Sequence, residues 1–209
     1  MFPAKQSRGT LMLVLPEGSD EEQIISAEIR LRQYDFLEDS FLVWQAGHPL
    51  EVGHRFIQEL NFYAVQYLSP TPGQYRNQTG ENVTVGDHIP PPHTEVAGHM
   101  DDFVSRLTTM FRDAEALELS AYALWRLNWI HPFRQGNGRT SRALSYFLLC
   151  QKFNHWLPGQ TIPERIRATR PEYCQLMRDA DNAARPDGLT DLQPTIDYLG
   201  RLLAEQLTA

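Results

Sequence analysis

The sequence predicts an all-α domain carrying one small β-hairpin. Two observations lead there. Apolar residues recur at spacings of three and four through most of the chain. The stretch where that period fails, residues 69–92, is crowded with proline and glycine. The 209 residues, 42% of them hydrophobic and 22% charged, fit one domain with a small appendage. No internal repeat or low-complexity tract complicates that reading.

The elements follow in order. Leu11 to Leu15 is a short apolar run suited to a strand, closed by Pro16 and a Pro-Glu-Gly-Ser turn signal. Ile24, Ile25, Ala27, Ile29, Leu31 and Tyr34 then take helical spacing among Glu and Arg. A second amphipathic stretch runs from about Pro49 to Tyr67, with Val52, Phe56, Ile57, Leu60 and Tyr63 on its stripe. Within the irregular region, Asn82 to Val85 followed by Gly86-Asp87 reads as a strand entering a tight turn, a flap. Val96, Met100, Phe103, Leu107 and Met110 mark the next helix. Leu117, Ala121, Leu124, Leu127 and Ile130 mark another, ended near His131-Pro132 because proline resists continuation. A helix opening at about Gly138 presents Ala143, Leu144, Phe147 and Leu148. Two more flank Arg170-Pro171, and a last one carries Leu192, Ile196, Leu199, Leu203 and Leu207.

Composition narrows the function. A net charge of −7 argues against non-specific nucleic-acid binding. The five-residue run at Leu11 falls far short of the roughly twenty a membrane span needs. Two cysteines make no secreted disulfide framework, so a cytoplasmic, reducing compartment is the expectation. The acidity is uneven. From Leu119 to Pro163, 45 residues, there is no Asp or Glu, while Arg126, Arg134, Arg139, Arg142 and Lys152 make the run +5 and leave −12 on the remainder. A buried central helix pair would be poor in carboxylates for its own reasons. Three arginines within nine residues, interleaved with glycines, fit an anion site better.

That segment reads His131-Pro-Phe-Arg-Gln-Gly136-Asn-Gly138-Arg139-Thr-Ser-Arg142. One helix ends, a glycine-rich loop turns, and the first N–H groups of the next helix form a nest for an anion. Arg139 and Arg142, three apart, lie along one helix face and offer planar forks to phosphate oxygens. Asn137 adds a neutral amide donor. His131 is the one group in the loop able to accept a proton near neutrality. At a helix end it could instead act as a C-cap donor. A base beside a phosphate cradle fits phosphoryl or nucleotidyl transfer. No Walker A Lys-Ser/Thr pair follows the glycines, no βαβ unit surrounds them, and no His-Glu-x-x-His spacing occurs.

The segment resembles the signature of the Fic family, His-Pro-Phe-x-(Asp/Glu)-Gly-Asn-Gly-Arg-x-x-Arg, at every fixed position except the acidic one. The likeness extends over about residues 50–200. It takes in Gly73-Gln-Tyr-Arg76, the Val83–Ile89 segment, the proline run, and Tyr173 with the Ala-Asp that follows. It implies a Fic-type helical bundle with a β-hairpin flap over residues 49–209, and an N-terminal extension, residues 1–48, of a short strand plus a helix packed on the core. It also implies a protein adenylyltransferase that moves AMP from ATP to a Ser, Thr or Tyr hydroxyl of another protein.

By that resemblance His131 is the general base. Gly136 and Gly138 give backbone to the phosphates, and Asn137 holds an α/β oxygen. Arg139 meets the β-phosphate and Arg142 the γ-phosphate. Tyr173 lies near the adenosine, and the flap at Val85 and Gly86 pairs with the target strand. Phe133 anchors the loop, Arg134 faces solvent and Arg76 ties down the flap. Gln135 stands where the family has its acidic ligand for Mg²⁺ (or Mn²⁺), and an amide oxygen offers a dipole where a carboxylate offers a charge. Weaker metal binding and slower transfer are therefore expected. Two alternatives are a catalytically weakened nucleotide-binding module and transfer of another phosphate-linked group. Many Fic proteins are silenced by Ser/Thr-x-x-x-Glu. Here no Ser or Thr has Glu four residues on, so an inhibitory, antitoxin-like partner acting in trans is one expectation and absence of inhibition the other.

Overall fold

A computed structural model of the chain describes residues 20–185 and 189–208. The predicted strand at Leu11–Leu15 lies outside them. Among the described residues the elements are α1 (Asp20–Gln45), α2 (His54–Val65), α3 (Val96–Asp113), α4 (Ala116–Ile130), α5 (Asn137–Phe153), α6 (Ile162–Ala168), α7 (Arg170–Asn182) and α8 (Gln193–Leu207). The all-α expectation holds. None of these helices is long and apolar enough to cross a membrane.

The centre is the pair α4 and α5, joined by the loop 131–136, and each of the remaining helices packs on one or the other. In α4 every residue from Leu119 to Leu127 is buried, and in α5 every residue from Ala143 to Gln151. Helices apolar on all sides belong in a core. This explains part of the carboxylate-free run, since an unpaired carboxylate there would be costly to desolvate. Where the two helices cross, Ser120 and Ser145 satisfy each other. Their hydroxyls lie 2.7 Å apart, and each reaches the other's backbone carbonyl, at 3.1 and 2.9 Å. Both polar groups are thus buried with partners.

The long helix α1 packs on α2 and α5 and extends well beyond the stripe read from the sequence. Its buried line runs Ile29, Gln33, Leu37 and Phe41, spaced by four. Gln33 interrupts the hydrophobic pattern, yet its amide donates to the Leu60 carbonyl of α2 at 2.9 Å. The last helix also shifts from the predicted stripe. It buries Thr195, Tyr198, Leu199, Leu202, Leu203 and Gln206 and leaves Leu207 exposed.

The flap is smaller than predicted. Asn82 to Val85 forms no strand; one antiparallel bridge joins Val85 and His88 around Gly86-Asp87, with Gly86 at φ +59°. Side chains take over what a ladder would do. Glu81 accepts from the N–H groups of Asn77 (2.7 Å) and Gln78 (2.9 Å), and Asn82 accepts from that of His93 at 2.9 Å. A second bridge, Tyr75 to Phe133, lays the flap's lead-in on the glycine-rich loop.

Arg76 locks that junction. It is 1% exposed. Its Nε donates to the His131 carbonyl at 2.7 Å, and its Nη2 donates to the carbonyls of Pro91 at 2.6 Å and Ile130 at 3.1 Å. Its backbone N–H donates to Pro132 at 2.8 Å. A cation at the C-terminal end of α4 also meets the negative pole of the helix dipole. Arg76→Met leaves three buried carbonyls without this donor and should destabilise the fold by about 3 kcal/mol. Urea unfolding checks this, and a midpoint equal to that of the wild type would contradict the role.

Candidate functional site

The loop between α4 and α5 is shaped by its own residues. His131 ends α4 in the left-handed conformation, φ +49°, a position that favours glycine and that Pro132 then prevents from continuing as helix. Phe133 is 1% exposed and anchors the turn in the core. Asn137 reaches back to it: the Phe133 N–H donates to Asn137 Oδ1 at 2.9 Å, and Asn137 Nδ2 donates to the Phe133 carbonyl at 2.8 Å. Gly136 sits at φ +80°, and a Cβ there would meet Val65 Cγ1 at 2.5 Å. Only glycine fits a loop pressed this closely on α2. The first helical bond to Gly136 is made by Thr140, at 2.9 Å, so the N–H groups of Asn137, Gly138 and Arg139 precede it as a helix N-terminal nest.

The Asn137 side chain is 2% exposed and clasps Phe133, so it shapes the loop, while its backbone N–H belongs to the helix N-terminal nest.

His131 Nδ1 lies 3.3 Å from the Asn128 carbonyl. A carbonyl accepts only, so this contact selects the tautomer with the proton on Nδ1 and leaves Nε2 as a lone-pair acceptor. Burial pushes the imidazole down to about 4, against the opposing pull of the Asn128 contact, with the His88 and Arg76 charges adding to the depression. The ring is therefore neutral, and able to take a proton, throughout the physiological range.

Arg142 crosses over Gly138, where a Cβ would stand 3.1 Å from its Nη1. Burial holds the guanidinium below its ordinary value, and the nearby charges of Arg170 and Arg167 add to this, while Tyr173 opposes it. Arg139 and Arg142 come together on the wall of a cavity of about 730 Å³ between α1, α5 and α6. Tyr173 is 7% exposed, and its hydroxyl accepts from Asn128 Nδ2 at 2.8 Å. It braces Arg142 and Asn128 and keeps little of its own surface exposed.

On the other side of His131 the flap meets α4 and α7. His88 Nε2 donates to the Trp129 carbonyl at 2.9 Å, and Nδ1 faces Asp181 Oδ2 at 3.3 Å. Asp181 also accepts from Trp125 Nε1 at 2.9 Å, and burial lifts its carboxyl above the ordinary value against the pull of His88. A cavity of about 340 Å³ opens here, lined by Asp87, His88, Ile89, Trp129, Arg178 and Asp181 among others. At the flap, Val85 exposes its side chain, but its N–H is engaged by His88. Strand-like pairing at Val85 itself is therefore blocked on the donor side, and Gly86 occupies the turn.

Gln135 is exposed, and its backbone carbonyl accepts from Asn61 at 2.9 Å. Arg134 is partly exposed and lies 3.4 Å from Glu81. Among the described residues no three His, Cys, Asp or Glu side chains gather to hold a metal ion. The loop offers a divalent ion one neutral amide oxygen, that of Gln135, so the phosphates of a ligand would have to supply the charged donors.

Three contributors escaped the sequence reading. Asn61, 1% exposed on α2, donates to Gln135 and Thr140 and accepts from the Gly73 N–H, tying flap, loop and helix together. Its signal is a lone amide on an apolar stripe. Asn128, one turn before His131, supplies the carbonyl that sets the tautomer. The His88–Asp181 contact joins residues 93 apart, and no local pattern announces such a pair.

A model of the Fic/DOC family matches residues 51–149. The protein adenylyltransferase Fic of Nematostella vectensis is 38% identical over 141 residues, covering 66% of this chain and 29% of that protein. Its counterpart in Drosophila persimilis is 33% identical over 135 residues, covering 63% and 25%. The chain thus spans about a quarter of the length of these relatives. Among solved structures, a Fic domain containing signaling protein from Bacteroides thetaiotaomicron has a TM-score of 0.71 at 22% identity, covering 92% of this chain and 73% of that one. Fic-1 of C. elegans, residues 134–508, has the same TM-score and identity, with coverage of 93% and 53%. Residues 51–149 thus form a Fic/DOC family region, and the helical bundle built around them shares the fold of solved Fic proteins.

Proposed function

We propose that this protein is a protein adenylyltransferase that moves AMP from ATP to a Ser, Thr or Tyr hydroxyl of a target protein, with His131 as general base. One observation carries the reading: a neutral imidazole whose Nε2 is left as acceptor sits at the lip of a helix N-terminal nest flanked by two arginines. The relatives, themselves named protein adenylyltransferases, support the same reaction. The target oxygen attacks the α-phosphorus, its proton passes to His131 Nε2, and the bond from that phosphorus to the pyrophosphate oxygen breaks. The N–H groups of Asn137 to Arg139 and the guanidinium groups of Arg139 and Arg142 stabilise the charge that gathers on the leaving pyrophosphate. The cavity beside His88 and Trp129 has room for the nucleoside. A divalent ion carried by the phosphates, with Gln135 as its contact on the loop, would add charge neutralisation. A partner supplying a glutamate to Arg142 in trans would inhibit.

A second reading, a weakened nucleotide-binding module, is favoured by Gln135 alone. Two experiments separate the readings. With α-phosphate-labelled ATP, Mg²⁺ and lysate, label should appear on a protein band and fall at least about 100-fold in His131→Ala, as expected for loss of a general base. Label that persists in the variant would exclude His131 as base. Loss of label from both proteins, with ATP binding intact by calorimetry, would favour the module or another donor. Gln135→Glu should raise transfer and lower the Mg²⁺ concentration needed for half-maximal rate. A gain of orders of magnitude from near zero, with ATP affinity unchanged, would favour the module.

A further inference from the structure

The side chain of His88 fastens the tip of the flap to the bundle. Both nitrogens of its ring face oxygens of other elements. Nε2 lies 2.9 Å from the Trp129 carbonyl at the end of α4, and Nδ1 lies 3.3 Å from Asp181 Oδ2 on α7. A carbonyl only accepts, so Nε2 must carry a proton. A carboxylate facing Nδ1 then needs a second proton in the gap, on the ring or on the acid. Asp181 is placed to keep that proton. Its other oxygen accepts from Trp125 Nε1 at 2.9 Å, and burial lifts its carboxyl above the ordinary value against the pull of His88. The other titratable or charged groups around the ring are Asp87 on the flap and Arg178 on α7, which line the same cavity, and His131, whose depression the His88 charge increases.

We propose that His88 is a positioning residue: a proton held between it and Asp181 straps the flap tip to α4 and α7, and the strap lets go when that proton is lost. The contacts fix the proton balance. With two protons in the pair, Nε2–H donates to Trp129 and the second proton bridges Nδ1 and Oδ2, as imidazolium with carboxylate or as imidazole with carboxylic acid. Loss of one proton to solvent leaves a single ring proton for two acceptors. On Nε2 it leaves the Nδ1 lone pair against a carboxylate oxygen, and on Nδ1 it leaves the Nε2 lone pair against the carbonyl. One contact turns repulsive in either case. The strap is therefore present below the pair's apparent titration point and lost as pH rises through it. His88 also closes the turn through two backbone bonds with Val85, at 3.0 and 3.1 Å, so its ring holds the tip as a unit. The consequence for AMP transfer rests on the reading proposed above; the strap itself does not. On that reading an open strap unseats the flap beside His131 and slows transfer.

The test is amide hydrogen exchange of the full chain by NMR from pH 5 to pH 9, read at the Val85 and His88 N–H groups and corrected for intrinsic exchange. Wild-type protection should fall about fivefold or more as pH rises, the effect of losing one such bond. Asp181→Asn keeps an oxygen for Trp125 and offers an N–H to a neutral Nδ1, so both bonds of the ring survive without the shared proton. Its protection should hold to pH 9 and exceed that of the wild type there. Asp181→Ala should be loose at every pH, with far-UV circular dichroism confirming that the helices persist. Wild-type protection independent of pH overturns the proposal. So does an Asp181→Asn variant that loosens with rising pH as the wild type does, or one no tighter than Asp181→Ala. Label transfer at the same pH values separates the strap from the activity. A strap that behaves as predicted in a chain that labels no protein sinks the transferase reading alone. Active transfer with pH-independent protection sinks the strap alone.

Discussion

Everything at the site hangs on one buried guanidinium holding the end of one helix. Arg76 has no carboxylate within ion-pair distance among the described residues, and its donors go to backbone carbonyls at Ile130, His131 and Pro91. A helix that ended in water would have those carbonyls hydrated and its last residue free to fray. Here the same three bonds fix the left-handed turn at His131, aim its ring, and fasten the proline run that leads out of the flap. The arrangement has a cost, because burial lowers the Arg76 pKa from its ordinary value, with Glu81 opposing. The carbonyls and the helix dipole offset it.

From that anchor the two sides of the loop acquire opposite electrostatic characters. On the His131 side, burial works against charge: the imidazole is neutral, and the Asp181 carboxyl lies above its ordinary value, against the pull of His88. On the α5 side, charge accumulates: Arg139, Arg142, Arg30 and Arg167 share one cavity with few carboxylates. A neutral acceptor next to a concentrated positive field suits a reaction in which a proton leaves one partner while negative charge grows on another. The glycines and asparagines set the geometry. Gly136 lets the loop lie on α2, Gly138 makes room for the head of Arg142, and Asn137 and Asn61 knit the loop's backbone.

Much of the helical frame was legible in the sequence, because apolar residues recur at steps of three and four along α3, α4 and α5, although α4 and α5 go on to bury every side of their central turns. The motif was legible because its residue types are chemically specific and contiguous. What escaped were polar groups buried on apolar stripes. Gln33 interrupts the apolar line of α1 and Asn61 that of α2, and each is satisfied by a partner remote in sequence. Asn137 and Tyr173 stood out in the sequence, but their neighbours were not legible there. One closes a loop and the other is buried against Asn128 and Arg142, facts that depend on tertiary packing. The flap looked like a hairpin because Val83-Thr84-Val85 has strand composition. Side-chain bonds from Glu81 and Asn82 replaced the ladder.

The claim on which the account rests is that packing alone delivers His131 as a neutral, pre-aimed acceptor. Nitrogen-detected NMR of selectively labelled histidine, titrated from pH 8 to pH 4 with His131→Ala to assign the signal, measures it directly. The account predicts the Nδ1–H tautomer throughout the neutral range and protonation only toward about 4. A proton resident on Nε2, or a midpoint at or above the ordinary value of about 6.5, would contradict it.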